Sequence, residues 1–484
     1  MLKKKISAVA PLLAAAYLVS VPAHADDAAQ AALQSAAKAL GADRLQSIEF
    51  SGSGSDYTLG QAPNAHSPWP RFNDKSYDRL VNFNPWATRL QRVRTQAEHP
   101  PRGGGGQPIV GEQSQTQAVT VASPNAVSLQ NELAVTLPQA FLKAAAAAGD
   151  LTARSAQEGS RHYTVLSFTA LNKARTSGWI DEQGEVMRVE TKIDNPVLGD
   201  TAYQAVFSDY RDFNGIRFPA HIAQQAGGYP VLDLRVAEVR TNVAADIPDA
   251  PAAPAPAVSS EQLGDGVYLI GGGYAAVAVA FKDHIVIIEG GQNDQRSEAV
   301  IAEARRLIPG KPITAVVNTH AHFDHAGGLR AYVAEGATVI THESNKAYFQ
   351  KIWAYPHTLA PDALALHPRP AKFELVKEHL KLSDGDQVVE LYRLRDFGHH
   401  DNMLVAYLPK EKVLVEADGF NPPPAPITQT PATINPIQQS LAANIERLHL
   451  DVERIVPIHL PADGRKVTLD ELKQAVGKGA IGKS

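Results

Sequence analysis

The chain has 484 residues, a formal net charge of −5 and no cysteine. At roughly 100–200 residues per domain this length indicates two or three domains, and a hydrophobic content of 44% excludes wholesale disorder. The acidic balance argues against a surface that coats nucleic acid. The absence of cysteine excludes disulfides, iron–sulfur clusters and thiolate metal sites, so any metal must be held by His, Asp and Glu.

Residues 1–25 have the pattern of a signal peptide. Three lysines precede the apolar stretch Ile6–Val21, and Ala23-His24-Ala25 supplies the small residues of a cleavage site. An N-terminal membrane anchor is the alternative, but Pro11 interrupts the stretch, which is shorter than the roughly 20 residues that span a bilayer. We therefore expect an exported protein, periplasmic or secreted, with no membrane span in the mature chain.

Residues 26–243 are predicted to form an N-terminal α+β domain. Helices are expected over Ala28–Leu40 and Gln139–Ala148 because each is Ala-rich and followed by glycine. The stretch 51–117 is interrupted by prolines and by Gly103–Gly106, so it is expected to be largely loop. A period of two then predicts an antiparallel meander of strands at Tyr163–Thr169, Ser177–Ile180, Val186–Ile193, Tyr203–Phe207, Arg217–Ile222 and Val231–Val239.

Part of this meander resembles a known sheet. The stretch Asp209–Pro219 is similar to a strand–turn–strand segment of the curved half-barrel sheets of periplasmic lipoprotein carriers. The resemblance implies a curved antiparallel sheet. Such a sheet could bind an apolar ligand or serve only as a structural or docking domain, and the sequence leaves both readings open.

A Pro/Ala-rich linker over 244–258 precedes a second domain over 259–484. This domain is predicted to be α/β, with helices at Gln295–Leu307 and Leu329–Ala334. Its strands are predicted at Gly266–Ile270, Ala275–Phe281, Ile285–Glu289, Ile313–Asn318, Thr338–Thr341, Leu391–Leu394, Met403–Tyr407, Val413–Glu416 and Arg454–Ile458.

Histidines concentrate in this second domain. The strand Ile313–Asn318 is followed directly by His320-Ala321-His322-Phe323-Asp324-His325. In an extended segment His320 and His322 point the same way and can share one cation, while the turn at Asp324 and His325 aims two ligands at a second. Four ligands are too few for two sites. Distant partners are available where other strands end, namely His399 or His400, Asp418 and His459.

These motifs, in this order, resemble the metallo-β-lactamase superfamily. The resemblance implies a four-layer αβ/βα sandwich with two zinc ions at one edge, iron or manganese being possible instead. His320, His322 and His399 match its first metal site, Asp324, His325 and His459 match its second, and Asp418 matches the carboxylate between them. Two positions depart from the family pattern. Glu289 stands where many members carry Asp, and Gly398-His399-His400-Asp401-Asn402 replaces the usual Gly-His-Thr-Pro-Gly, which favours His399 over His400 without excluding the latter.

The resulting hypothesis is an exported dinuclear-zinc hydrolase that acts on a small molecule and not on nucleic acid. A hydroxide bridging the metals would attack an ester, lactone or amide-type carbonyl, with Asp324 as the catalytic residue that orients it or relays its proton. The alternatives are a mononuclear-iron sulfur or oxygen oxidoreductase of the same fold, a β-lactamase-type activity, and a binding protein with a vestigial site. The Pro-rich stretch Asn421–Pro436 is expected to form a wall or lid near the metals.

Overall fold

A computed structural model describes residues 27–105, 110–120, 137–247 and 258–477. The predicted signal peptide and most of the predicted linker lie outside these residues, so the domain boundaries stay a prediction. The described strands form three sheets of 11, seven and six strands. The first sheet contains the strands between residues 47 and 241, and the other two contain the strands from residue 259 onward.

The N-terminal part is one antiparallel sheet with two helices, α1 (Asp27–Leu40) and α2 (Pro138–Ala147). The strand order is β4-β3-β2-β1-β11-β10-β9-β8-β7-β6-β5, so the meander continues on both sides of the β1–β11 pair. Its strands are β1 (Ser47–Tyr57), β2 (Arg71–Phe83), β3 (Trp86–Gln96), β4 (Gln113–Thr120), β5 (Thr152–Glu158), β6 (Arg161–Thr169), β7 (Arg175–Ile180), β8 (Val186–Asn195), β9 (Gly199–Phe213), β10 (Ile216–Ala226) and β11 (Tyr229–Thr241).

Both predicted N-terminal helices and the predicted meander are confirmed, but the loop predicted over 51–117 is wrong. Most of that stretch belongs to the long strands β1, β2, β3 and β4. The prolines and glycines lie mainly in the connections, at 58–70 and from 97 onward, where they do not interrupt the ladder. The strands were missed because they are rich in charged and polar residues, as in the sequence RFNDKSYDR of β2.

One face of this sheet is covered by the two helices. Leu33 and Leu40 of α1 and Phe141 of α2 are buried in one cluster with side chains of the strands, including Phe207 and Phe218. The Ala-rich sequence of both helices allows close approach to the sheet, and the core of the N-terminal part lies in this layer.

The C-terminal part contains two sheets. The seven-stranded sheet runs in chain order from β12 to β18, and β15, β16, β17 and β18 are parallel. Its strands are β12 (Ser259–Gly264), β13 (Val267–Gly271), β14 (Ala276–Ala280), β15 (Ile285–Ile288), β16 (Ile313–Val317), β17 (Thr338–His342) and β18 (Lys372–Val376). The six-stranded sheet contains β19 (His379–Ser383), β20 (Val388–Arg393), β21 (Leu404–Leu408), β22 (Val413–Glu416), β23 (Arg454–Pro457) and β24 (Val467–Thr468), with β22 and β23 parallel.

Alternate residues of the seven-stranded sheet enter two different cores. Ile285 and Ile287 pack in one cluster with helices on the outer face, whereas Val286 and Ile288 pack in a second cluster with the six-stranded sheet. That second cluster also contains side chains of helices on the far side of the six-stranded sheet. The order is helix, sheet, sheet, helix, which confirms the predicted four-layer sandwich.

The helices of this part are α3 (Asp294–Leu307), α4 (Phe323–Ala326), α5 (Leu329–Ala334), α6 (Lys346–Ile352), α7 (Ala363–Leu366), α8 (Pro436–Arg447) and α9 (Leu469–Val476). The side chain of Asn293 caps α3 by accepting from the N–H of Arg296. The sequence predicted α3 and α5 but neither the short helices nor α8 and α9. None of the helices in the described part of the chain is both long and apolar enough to cross a lipid bilayer.

Candidate metal centre

The predicted site residues lie in loops that leave the sheets at one edge. His320, His322, Asp324 and His325 follow β16, and Asp418 and His459 follow the parallel neighbours β22 and β23. Parallel strands present their carboxyl ends at the same edge of a sheet, which is where such folds carry their ligands. Residues far apart in sequence therefore meet here.

Their side chains converge on Asp418. Its Oδ2 lies 2.8 Å from Nε2 of His325 and 3.3 Å from Nε2 of His399, and its Oδ1 lies 3.2 Å from Nε2 of His459. Nε2 of His320 is 3.6 Å from Oδ2 and 3.3 Å from Nε2 of His399. The side chains form two groups whose donor atoms all lie within 4.8 Å of one another: His320, His322, His399 and Asp418, and Asp324, His325, Asp418 and His459.

The geometry distinguishes the two histidines that the sequence left open. His399 belongs to the first group, whereas His400 belongs to neither. The ring of His400 is buried beside those of His320 and His322, and its Nδ1 accepts the backbone N–H of Asn402 at 3.4 Å. This arrangement agrees with the preference for His399.

Three of the imidazoles are oriented by a contact of the ring nitrogen that points away from the centre. Nδ1 of His320 lies 2.9 Å from Oγ1 of Thr319, and Nδ1 of His325 lies 2.5 Å from Oε2 of Glu289. The Nε2–H of His322 donates to the backbone oxygen of Ala62 at 2.8 Å. Each contact turns the other ring nitrogen toward the centre, as acceptors behind metal-binding histidines do. Glu289 is the one carboxylate among these three acceptors.

The residues present fit divalent cations. Nδ1 of His322, Nε2 of His325 and Oδ2 of Asp418 are buried and make no hydrogen bond within the described residues, although they face one another. Unpaired buried polar atoms are costly, and cations bound in the two groups would satisfy them. The donor set is imidazole and carboxylate only, which suits zinc and also iron or manganese.

The pKa values of the candidate histidine ligands shift in opposite directions. Burial lowers the pKa of His322 to about 3 and holds the pKa of His320 well below its usual value, so both rings are neutral, the form that binds a cation. Burial also opposes charge on His325, but the carboxylates of Asp324 and Glu289 outweigh it and raise the pKa of that ring. In turn, His325 outweighs the burial of Asp324 and lowers the pKa of that carboxyl.

The backbone at the site is strained at two acidic residues. Glu289 and Asp418 have φ values of 83° and 58°, a region that non-glycine residues rarely adopt. The loop at Asp418 is held by Glu416, whose Oε2 accepts the N–H groups of Gly419 and Phe420 at 2.7 and 3.1 Å. Burial raises the pKa of Glu416 to about 8. Strain of this kind concentrates at functional sites.

The N-terminal part also reaches the site, which the sequence analysis did not predict. Residues 58–64, here called the bridging segment, cross the loop of the histidine motif. Nε2 of Gln61 donates to Oδ1 of Asp324 at 2.8 Å, and the oxygen of Gly60 accepts the N–H of Phe323 at 3.1 Å. Asp401 donates its N–H to the oxygen of Pro63 at 2.8 Å and accepts from the side chain of Asn64 at 2.7 Å. No local pattern in this Pro- and Gly-containing stretch signals such a role.

A pocket of about 420 Å³, the catalytic pocket, opens beside the candidate ligands. Its walls include Gln61 and Thr58 of the bridging segment, glycines 103–105 and Asn421. Asn421 is the one residue of the predicted lid, Asn421–Pro436, among the described lining residues. Two other residues of that stretch contact α9: Ile427 donates its N–H to Glu471, and Thr430 bonds with Gln474. The wall over the site therefore comes mainly from the N-terminal part, and the predicted lid contributes Asn421 to it.

Tyr274 completes the surroundings of Asp324. Its O–H donates to Oδ2 of Asp324 at 3.4 Å, and its ring packs on that of His459 with the centroids 4.9 Å apart. Burial, and then the charge of Asp324, raises the pKa of Tyr274 to about 12. Tyr274 is therefore a protonated hydrogen-bond donor at the pocket at neutral pH.

Comparison with solved structures finds metallo-beta-lactamases. The enzymes from Pontibacter korlensis and Hirschia baltica each share 19% identity with this chain and cover 45% of it, with TM-scores of 0.33 and 0.34; the matches span 96% and 95% of those chains. The DIM-1 metallo-beta-lactamase gives 19% identity over 45% of this chain and 94% of its own, with a TM-score of 0.34.

Sequence comparisons add a family and one relative. A linear primary-alkylsulfatase from Pseudomonas is 43% identical over 51 residues, which is 10% of this chain and only 10% of that protein. The sequence pattern of the metallo-beta-lactamase superfamily matches residues 269–459, and the match runs from β13 to His459, the last of the predicted ligands. The match to the metallo-beta-lactamase superfamily lies within the C-terminal part and covers less than half of the chain.

Proposed function

We propose that this chain is a hydrolase that holds two divalent cations, zinc being the first candidate and iron or manganese the others. The observation that carries the proposal is the pair of four-residue groups that share Asp418. His320, His322 and His399 would hold one cation, Asp324, His325 and His459 the other, and Asp418 would contact both. A mononuclear centre would leave one group without a purpose, so the geometry favours two ions over the mononuclear-iron alternative.

Cations bound in these groups would supply a Lewis acid for the substrate and a water acidic enough to react at neutral pH. The chain supplies position and proton transfer. The carboxylate of Asp324, ionised beside a bound cation, could orient the attacking water or accept its proton. Gln61 fixes one oxygen of that carboxylate and the hydroxyl of Tyr274 faces the other, so its orientation is set before substrate arrives.

The catalytic pocket favours a neutral carbonyl substrate, such as an ester, lactone or amide. Arg94 is the one Lys or Arg among the described residues that line it. Its guanidinium is already used: it bonds with Asp56, with Oε1 of Gln113 at 3.0 Å and with the oxygen of Gly105 at 2.7 Å. A substrate with a phosphate or sulfate group would find no free cationic side chain in this lining.

Two other substrate classes have specific support. The alkylsulfatase relative favours an alkyl sulfate, and the family match favours a β-lactam. An alkyl sulfate would have to rely on bound cations for its charge, because Arg94 is occupied. We therefore rank both below a carboxylic ester or lactone.

The test is metal analysis of the purified protein, followed by assays with p-nitrophenyl acetate, a γ-lactone, nitrocefin and decyl sulfate, with and without a chelator. We expect about two metal ions per chain and chelator-sensitive hydrolysis of the ester or lactone. Asp324→Asn should lower kcat by about 10²–10⁴-fold, the usual contribution of a proton-transfer residue. A protein with one iron, or one whose turnover survives Asp324→Asn, would overturn the proposal.

We also propose that residues 1–25 direct export and are removed. The basic start, the apolar stretch and Ala23-His24-Ala25 support this. Expression of the full chain followed by N-terminal sequencing of the periplasmic fraction should give a mature protein that begins at Asp26. Recovery of uncleaved chain in the cytoplasm would refute it.

A further inference from the structure

A second and larger cavity, of about 560 Å³, lies against the bridging segment. It is formed by Trp69 and Tyr229 of the N-terminal part and by Ala347, Tyr348 and Ile352 of α6. Its volume falls in the range of roughly 300–1,000 Å³ typical of small-molecule sites. We refer to it as the apolar cavity.

Aromatic rings form part of the wall of the apolar cavity, which also includes the charged side chains of Asp200 and Lys351. The ring of Trp69 lies 5.1 Å from that of Tyr229 and 6.4 Å from that of Phe323, measured between centroids. Tyr229 and Tyr355 are 50% and 38% exposed, so two large rings border the cavity on its solvent side. Aromatic surface left open in this way is characteristic of binding sites.

A buried donor without a partner belongs to the same lining. His400 is 1% exposed and contributes to the wall. Its Nδ1 accepts the N–H of Asn402, so in the neutral ring the proton is on Nε2. This Nε2 makes no hydrogen bond within the described residues. A ligand atom that accepts a hydrogen bond would remove the cost of leaving this group unpaired.

The bridging segment lies between the apolar cavity and the catalytic pocket, although His322 of the candidate metal centre also lines the apolar cavity. Gly60 and Ala62 line the apolar cavity, whereas Thr58 and Gln61 line the catalytic pocket. The segment is anchored by its hydrogen bonds to Phe323, Asp324 and His322.

We propose that the apolar cavity is a second ligand site, distinct from the catalytic pocket, for a small aromatic molecule that carries one hydrogen-bond acceptor. Its rings would stack on the aromatic walls, and its acceptor would meet the imidazole of His400. A bound molecule would pack against Gly60 and Ala62. These residues flank Gln61, and Ala62 accepts from His322, so occupancy would alter turnover without competing with substrate.

The binding test uses 1-naphthol, titrated calorimetrically into the full-length, metal-loaded protein. We expect saturable binding of one molecule per chain. Ala347→Phe places a ring in the cavity from an exposed position on α6 and should weaken binding at least about tenfold. Gln350→Phe, on the same helix but outside the cavity lining, is the matched control and should leave the affinity unchanged. Absence of binding, or equal binding by both variants, would overturn the proposal.

Two further measurements separate this proposal from the proposed function. Asp324→Asn should bind 1-naphthol as the wild type does, whether or not any ester is hydrolysed. With p-nitrophenyl acetate as substrate, 1-naphthol should change kcat by about twofold or more and should not raise KM alone. Purely competitive inhibition would assign the cavity to the substrate's own site and would refute a second ligand site.

Discussion

Gln61 connects the N-terminal part to the residue proposed for proton transfer. Its amide donates to Oδ1 of Asp324, while His325, His459 and Tyr274 lie nearer the other oxygen. Gln61 itself is held by glycines 103–105, since a Cβ on Gly104 would lie 1.7 Å from Oε1 of Gln61. The orientation of Asp324 thus depends on a side chain from a different sheet.

Replacement of Gln61 tests this dependence. Gln61→Ala should lower kcat about tenfold, because Oδ1 of Asp324 loses the hydrogen bond that fixes it. The metal content should stay the same. Steady-state kinetics with the best ester or lactone, together with metal analysis, would show this. Gln183→Ala, at an exposed turn residue, is the control. A drop in bound metal that parallels the drop in kcat would instead mean that Gln61 acts on metal affinity.

Asp74 on β2 is a buried carboxyl with neither oxygen hydrogen-bonded within the described residues. Burial, and then the nearby charge of Asp56, raises its pKa to about 7. The folded protein therefore binds a proton here that the unfolded chain releases near pH 4, and stability falls as the pH rises from about 4 to 7.

Asp74→Asn should remove this pH dependence. The free energy of unfolding at pH 8 should rise by about 1–2 kcal/mol, because the variant no longer buries a charge there, and should change little at pH 4. Urea denaturation at the two pH values measures it. Asp78→Asn, on the same strand but only half-buried, is the control. If the free energies of unfolding at the two pH values differ as much in Asp74→Asn as in the wild type, Asp74 is not the source of the pH dependence.

Among the elements, the bridging segment forms part of the surface that faces the candidate metal centre. Gly60 has a φ of 78°, and a Cβ there would lie 2.2 Å from the ring of Phe323 in the histidine motif. The close approach of the two loops therefore requires glycine. Pairing of Pro63 and Asn64 with Asp401 attaches the same segment to the His399 loop.

Gly60→Ala should displace this segment and lower kcat by about tenfold or more, because both Gln61 and the acceptor for His322 would move. Gly159→Ala is a matched control: its φ of 61° imposes similar backbone strain, but no atom lies within 4 Å of the added Cβ. Equal effects of the two substitutions on kcat would show that strain alone, and not the contact with Phe323, is responsible.

Prediction of the elements succeeded where burial imposes a period. The buried strands Ile285–Ile288 and Val413–Glu416 are continuous apolar runs, and α1 has leucine and alanine at helical spacing. It failed for β2 and β3, whose polar side chains conceal the alternation, and for β18 and β19, which are mostly exposed. Exposed strands show little alternation of polar and apolar residues, because both polar and apolar side chains are tolerated at exposed positions.

At the scale of the whole molecule, the candidate centre joins three sheets. Its ligands come from both C-terminal sheets, and the partners of His322 and Asp324 come from the N-terminal part. Cations bound only by this folded arrangement would stabilise it by mass action.

Removal of metal should therefore lower the thermal stability of the entire chain. Dialysis against dipicolinate at neutral pH should lower Tm by at least about 5 °C, and added zinc should restore it. Differential scanning calorimetry measures the shift, with magnesium as the control ion because it prefers oxygen ligands. An unchanged Tm in protein that has lost its metal would mean that the groups around Asp418 contribute nothing to folding stability.

The sequence by itself indicated most of the candidate ligands of this protein. Spacing within 320–325 and the strands before Asp418 and His459 were enough to predict that these side chains meet, whereas His399 and His400 stayed alternatives until the geometry distinguished them. Only the tertiary structure decided what surrounds them. The contact of Gln61 with Asp324 and the partition between two cavities span some 260 residues of chain and depend on how one sheet packs over another. Such contacts leave no periodic or local pattern, since packing between distant surfaces is set by shape and not by spacing along the chain.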